Sequence, residues 1–276
     1  MIPVIKASDL VALNKSDYIL FDVSAGSKSR FEEAHLEGAI YMDLNTDLAR
    51  IDDFAVGGRH PLPDLEDFYK LLEFHGVQND SHVILYDDKN GANAAARLWW
   101  MLRSIGHEKV QVVSGGYQAA LAAGFPISSE IVSKAASSYV RNNEWRLNTA
   151  TIDEVAQANV HADQLIIDVR DADRFAGLTE PIDLIAGHIP GATNVPFTEN
   201  LDAQGLFLEP EVLRKKYEEV FGNRAPEDSI VHCGSGVTAC HTLLALDYAG
   251  FPIPKLYVGS WSEWSRNDKP MVTIEN

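Results

Sequence analysis

Residues 18–23, YILFDV, and residues 164–169, QLIIDV, are short apolar runs that each end in Asp-Val, and their reading decides the fold. An apolar run of this length bounded by polar turns marks a strand buried on both faces. Downstream of each, the same signs return in the same order. Phe31 and then His35-Leu-Glu-Gly-Ala39 stand against Phe175 and then His188-Ile-Pro-Gly-Ala192. Next come HVILYD (82–87) and SIVHC (229–233), each followed by a Gly-containing turn and a helical pattern, AAARLWWMLRSIGH and VTACHTLLALDYAGF. Gly106 and Gly250 close these helices as C-terminal caps. VQVVSGG (110–116) and KLYVGS (255–260) add a strand to each half. Asp22 and Asp168 lie 146 residues apart, and so do Asp87 and Cys233. A constant long offset is the sign of a duplicated domain rather than a solenoid. Strands alternating with amphipathic helices then predict an α/β fold: two tandem domains, each a mainly parallel central sheet flanked by helices. The boundaries read as 1–127, a Ser-rich, charged linker over 128–147, and 148–276.

The 276 residues suffice for two such domains. With 46% hydrophobic and 23% charged residues, the chain is neither disordered nor fibrous. No run approaches the ~18 apolar residues of a membrane-spanning helix. The N-terminal MIPVIKASDLVALNK shows no targeting pattern, so a cytoplasmic location is expected. Lys and Arg number 23 against 40 Asp and Glu, a net charge of −17, which repels nucleic acid and anionic membranes and leaves neither as an expected partner. A small anionic substrate would need local features that work against this field. Two cysteines are too few for a disulfide scaffold or a Cys-rich zinc site, and no metal or organic cofactor is expected.

The segment 229–241, SIVHCGSGVTACH, reads as a strand, a Gly-rich turn and a helix start. Gly234 and Gly236 let the backbone turn tightly and aim successive N–H groups at one point, which the helix N-terminus also faces. A Cys at the mouth of such a nest has its thiolate stabilised, as a nucleophile or sulfur carrier requires. A merely structural Cys233 would need no ring of convergent donors. Cys240, seven residues on, reads as a helix core residue; its spacing from Cys233 is far from a C-x-x-C redox pair. A Cys-dependent phosphatase is the rival class, since its loop also opens on His-Cys. That loop needs an Arg six residues after the Cys, where this chain has Ala239, and without it nothing grips a phosphoryl dianion in a bidentate manner. A non-enzymatic sulfur carrier or binding protein is the other alternative.

These motifs together, FDV, IDVRDADRF, the paired H-L-E-G-A and G-H-I-P-G-A, CGSGVTACH and YVGSWSEW, make the chain resemble the tandem-domain rhodanese family of sulfurtransferases over essentially its whole length. The resemblance implies two rhodanese-like domains, the first catalytically silent, and Asp87 indeed stands in the Cys position of the first half. It implies transfer of a sulfane sulfur from 3-mercaptopyruvate or thiosulfate, through a persulfide on Cys233, to a thiophilic acceptor such as cyanide or a thiol. It makes Arg174 a clamp for the donor anion and the backbone of Gly234, Ser235, Gly236, Val237 and Thr238 the substrate cradle. The second arginine that mercaptopyruvate-specific members carry after a Glu-Pro pair is missing, because Ile182-Asp183 follows Glu180-Pro181. The loop C-G-S-G-V-T nevertheless resembles the mercaptopyruvate branch, with Ser235 matching a serine of proton transfer. His60, in GGRHPLP, resembles a family histidine that reaches the active cleft; its acidic partner would fall near Asp43 or Asn45. His35 and His188 occupy equivalent places in both halves, one of them inert, and are expected to be structural. His232 alternates away from Cys233, and Trp99, Trp100, Trp261 and Trp264 are expected in the cores. Asp52-Asp53 reads as a solvated loop, and a monomer is expected.

Overall fold

The computed structural model describes residues 1–158 and 164–274. The chain divides into two compact units: Met1–Arg50 with Pro63–Leu147 and Ala203–Phe207, and Ile51–Leu62 with Asn148–Asp202 and Leu208–Asn276. In the first unit the elements run β1 (Val4–Ile5), α1 (Ala7–Ala12), β2 (Ile19–Ser24), α2 (Lys28–Glu33), β3 (His35–Leu36), β4 (Ile40–Asp43), α3 (Leu65–Phe74), β5 (Val83–Tyr86), α4 (Ala94–Ser104), β6 (Val110–Val113), α5 (Gly116–Ala122) and β7 (Ile127–Ser128). In the second they run α6 (Ile152–Ala158), β8 (Ile166–Asp168), α7 (Ala172–Ala176), β9 (Thr193–Asn194), α8 (Pro210–Phe221), β10 (Ile230–His232), α9 (Thr238–Tyr248), β11 (Lys255–Leu256) and α10 (Ser260–Trp264).

Both units carry a parallel sheet in the same order. The first is β1-β6-β5-β2-β4 and the second β11-β10-β8-β9, so each strand of the second has a counterpart in the first. β3 and β7 add a small antiparallel pair. Every residue of β2, β5, β8 and β10 is buried, as strands covered on both faces require. Trp99, Trp100, Trp261 and Trp264 are fully buried in the two cores. Each such ring removes ~200 Å² from water, on the order of 5 kcal/mol of gross hydrophobic stabilisation. Gly106 and Gly250 adopt φ +82° and +79° just past α4 and α9, the left-handed caps read from sequence.

The duplication extends to side chains. His35 stacks on Phe31 at 3.9 Å with Nδ1 on the Phe31 carbonyl, and His188 stacks on Phe175 at 3.7 Å with Nδ1 on the Phe175 carbonyl. Both histidines are structural, as their equivalence implied. The buried carboxylate of β2, Asp22, is held by Arg30, and that of β8, Asp168, by Arg170. Asp52 and Asp53 are exposed.

Two segments sit differently from the sequence boundaries. The stretch 128–147 is bound to the first unit: Ser137 N donates to Glu73 O, Arg141 pairs with Glu66 and Glu73, and His107 Nδ1 lies 2.8 Å from Tyr139 Oη. Residues 51–62, which sequence order assigns to the first half, group with the second unit. Gly57 N donates to Glu263, Asn267 Nδ2 donates to Ala55 O, and Arg266 lies over the Phe54 ring. At Gly58 a Cβ would stand 2.3 Å from Gly259 O, so only glycine permits this approach. No described helix is long and apolar enough to cross a membrane.

Candidate active site

From β8 the chain moves outward to β9 and later re-enters the sheet at β10, so the strand order reverses between β8 and β10. Open parallel sheets bind ligands at the carboxyl ends of the strands flanking such a reversal. Cys233 stands there, directly after β10, buried and not disulfide-linked. Its backbone is fixed from behind by α10. Cys233 N donates to Ser260 Oγ at 3.2 Å, Trp261 N donates to Cys233 O at 3.0 Å, and Ser262 N donates to Gly234 O at 2.9 Å. Ser260 holds φ +54°, an uncommon conformation for a residue with a Cβ, and its hydroxyl donates to Tyr257 O. Strain at Ser260 thus accompanies the anchoring of the cysteine.

The glycines of the loop have different reasons. Gly236 has φ +72°, and a Cβ there would stand 2.5 Å from Val258 O. Gly234 needs no left-handed backbone. A Cβ on it would instead meet Arg59 Nη2 at 3.2 Å and Arg174 Nη2 at 3.4 Å. α9 opens at Thr238, five residues after Cys233, whereas α4 opens at Ala94, seven after Asp87. Ala239 is buried in the first turn of α9, where it brings no charge to the loop. Cys240 is buried in the same helix, with Sγ 3.2 Å from Gly236 O.

The corresponding loop of the first half holds a carboxyl group. The buried Asp87 carboxylate accepts N–H bonds from Lys89 (2.9 Å), Gly91 (2.7 Å), Asn93 (3.0 Å) and Ala95 (3.1 Å). Burial pushes this carboxyl up while the four bonds pull it down. The first half therefore fills its own anion nest with a side chain.

Arg174, on α7, reaches back over the Cys233 loop, steered by Glu180 Oε1 at 2.7 Å and Asp183 Oδ2 at 3.4 Å. Arg170, its neighbour in sequence, is buried, bonded to Asp168 and Gly187 O, with its guanidinium over the Trp261 ring. It is structural. His232 points away from the loop opening into the protein, with Nε2 3.8 Å from Asp168 Oδ2. Burial keeps His232 neutral at neutral pH, and it opposes the charge of Asp168 as well. Arg170, by its charge and its hydrogen bonds, holds the Asp168 carboxyl below the ordinary range against that burial. His60 Nδ1 lies 2.8 Å from Ser235 Oγ, so the segment 51–62 brings that histidine to the Cys233 loop. Asp43, one candidate for its acidic partner, accepts bonds from Gly26 N, Asn45 N and Tyr41 Oη in the first unit. The sequence reading overlooked Arg59, although a cation beside the noted His60 was the available signal.

A parallel duplicated sheet with a cysteine loop at the strand reversal of one copy defines the class. The rhodanese-like domain family model matches residues 7–123 and again 151–267. The chain belongs to the rhodanese-like family and is a tandem-domain sulfurtransferase. It is 41% identical over 260 residues to the "Probable 3-mercaptopyruvate sulfurtransferase" of Pseudomonas aeruginosa, covering 93% of this chain and 89% of that one. It is 32% identical over 253 residues to the thiosulfate sulfurtransferase of Gallus gallus, covering 90% and 84%. The solved 3-mercaptopyruvate sulfurtransferase from Leishmania major superposes with a TM-score of 0.82 at 29% identity, over 96% of this chain and 74% of that one.

Proposed function

We propose that Cys233 is the sulfur carrier and that 3-mercaptopyruvate is the preferred donor, with thiosulfate a slower one. The Cys233 thiolate attacks the donor sulfur. The new S–S bond forms as the C–S bond breaks, and the electron pair of the latter passes to the methylene carbon. That carbon takes up the proton given by the donor sulfhydryl, which yields pyruvate and an anionic persulfide. Cyanide or a thiol then removes the outer sulfur and restores the thiolate.

The observation that carries the choice of donor is the Ser235–His60 pair, 2.8 Å apart on the Cys233 loop. A thiol donor requires a proton to move from sulfur to carbon, which a hydroxyl and an imidazole in contact can relay. Thiosulfate requires no proton transfer, so this pair would stand idle with that donor. Arg174 holds the single carboxylate of mercaptopyruvate, and the loop backbone from Gly234 to Thr238 receives the thiolate and persulfide as the Asp87 nest receives its carboxylate. Loop, arginine and histidine come from one chain, which makes a single chain the working unit. The reading includes a reducing, cytoplasmic setting, where unlinked thiols persist.

The test compares donors on the purified protein, with thiocyanate formation as readout and intact mass after donor exposure without acceptor. We expect a higher kcat/KM for mercaptopyruvate and one added sulfur on Cys233. A preference for thiosulfate would overturn the assignment of Ser235 and His60.

A further inference from the structure

We propose that Arg59 is the second guanidinium of the donor-carboxylate site, acting beside Arg174; this rests on the function proposed above. Gly234 carries the argument. Its backbone does not require glycine, and a methyl group there would crowd Arg59 Nη2 at 3.2 Å and touch Arg174 Nη2 and Nη1 at 3.4 and 3.6 Å. Two guanidinium ends thus converge on the residue next to the nucleophile. Their far sides are fixed. Asp183, with its side chain fully buried, pairs with Arg59, with Arg174 at 3.4 Å and with Arg266 at 3.1 Å. Glu180 accepts from Arg174 at 2.7 Å and from Arg170 at 3.3 Å, and is itself pinned by the N–H groups of Ile182 and Asp183. Arg59 and Arg174 are both mostly buried, so their entropy is lost before a ligand arrives.

Geometry specifies the ligand. Arg59 and Arg174 are held from behind by Glu180 and Asp183 and present their free guanidinium edges at Gly234, beside Cys233. Two forks on adjacent sides suit a planar carboxylate, which accepts bidentate bonds. The Glu180–Pro181 turn itself supplies no cation, since Ile182 follows it. Arg59 enters instead from the 51–62 segment, beside His60, so that one short loop brings both the second anion contact and the proton relay.

The experiment reads the carboxylate site apart from sulfur transfer. Alkylation of Cys233 by iodoacetate and by neutral, isosteric iodoacetamide is followed by mass in wild type, Arg59→Ala and Arg59→Lys, with pyruvate as a competing ligand. One charge-assisted contact corresponds to ~10- to 150-fold. In Arg59→Ala the iodoacetate-to-iodoacetamide rate ratio should fall about ten-fold or more, and pyruvate protection should need a correspondingly higher concentration. Arg59→Lys keeps the charge opposite Asp183 and the fold, but loses the fork; its ratio should fall about three-fold or more. An unchanged ratio in Arg59→Lys, or in a folded Arg59→Ala, refutes the proposal. A lowered ratio in a protein whose wild type moves no sulfur from mercaptopyruvate would leave the carboxylate site standing and remove the function reading. Mercaptopyruvate turnover with unchanged ratios would do the reverse.

Discussion

Replacing Asp87 by alanine separates stability from catalysis. Four backbone N–H groups lose their acceptor, and those of Gly91 and Ala95 belong to buried residues while Lys89 and Asn93 lie nearer solvent. A buried donor left unsatisfied costs ~1–3 kcal/mol, whereas water can serve the other two. Two buried donors therefore cost about 2–6 kcal/mol. Removal of a desolvated carboxylate, which burial disfavours, offsets part of this, so the net loss is about 2–4 kcal/mol. For a unit of this size that lowers Tm by on the order of 10 °C. Urea denaturation and calorimetry measure the loss, and thiocyanate formation at 25 °C measures kcat on the remaining folded protein. We expect kcat within about two-fold of wild type, because a carboxylate cannot attack a sulfane sulfur. A ten-fold fall in kcat at full folded fraction, or a stability loss below ~1 kcal/mol, would refute the account of Asp87 as an inert filler of its own nest.

Cys233→Ser should abolish both transfer and the added sulfur, while Cys240→Ser keeps most activity; a persulfide on Cys240 would reverse the assignment. Gly234→Ala should displace the Arg59 guanidinium end and raise KM for mercaptopyruvate about ten-fold with little change in Tm, which steady-state kinetics and a melting curve resolve together. Ser235→Ala should lower kcat for mercaptopyruvate by about 10²-fold, the scale of general acid–base help, and leave thiosulfate turnover nearly intact; equal losses on both donors would contradict the relay. Burial lowers the proton affinity of His107 and His232 below the ordinary histidine value, so the unfolded chain binds more protons than the folded one as pH drops below ~6.5. Stability should then be complete above ~6.5 and decline on acidification, each histidine adding up to about 1.4 kcal/mol per pH unit to the slope; a flat urea midpoint between pH 7.5 and 5 would count against it.

The fold was legible because a duplication states everything twice. YILFDV and QLIIDV became β2 and β8, and the paired histidines became the same ring stack on the same carbonyl pattern. Cys233 stood out in the sequence for a related reason: glycines crowd only where backbone must turn or be approached closely, and the first copy offered Asp87 as a contrast. What escaped was position in space. A hydrophobic pattern says which face a residue turns inward, not which unit a polar loop joins. GGRHPLP therefore read as part of the first domain, its histidine noted and its arginine passed over. The convergence of two guanidinium ends on Gly234 escaped as well, because Arg59 and Arg174 lie far from it in sequence.

The membership of residues 51–62 in the second unit also sets a timetable for synthesis. The loop leaves the ribosome early, but its partners Ser235, Glu263 and Asn267 are more than 170 residues downstream. At a synthesis rate of ~5–20 residues per second, the loop waits roughly 10–40 s before those partners exist. During that interval the first sheet can close, since β1, β2, β4, β5 and β6 all precede the second half. A nascent chain halted before residue 229 would thus hold a finished first sheet, with Asp183 available to Arg59 but without Ser235, Glu263 and Asn267 for the rest of the loop. A chain started at Asn148 would have the nucleophile but neither of these two residues. Ser235, Glu263 and Asn267 must all be made before the 51–62 segment can close its full set of bonds beside Cys233.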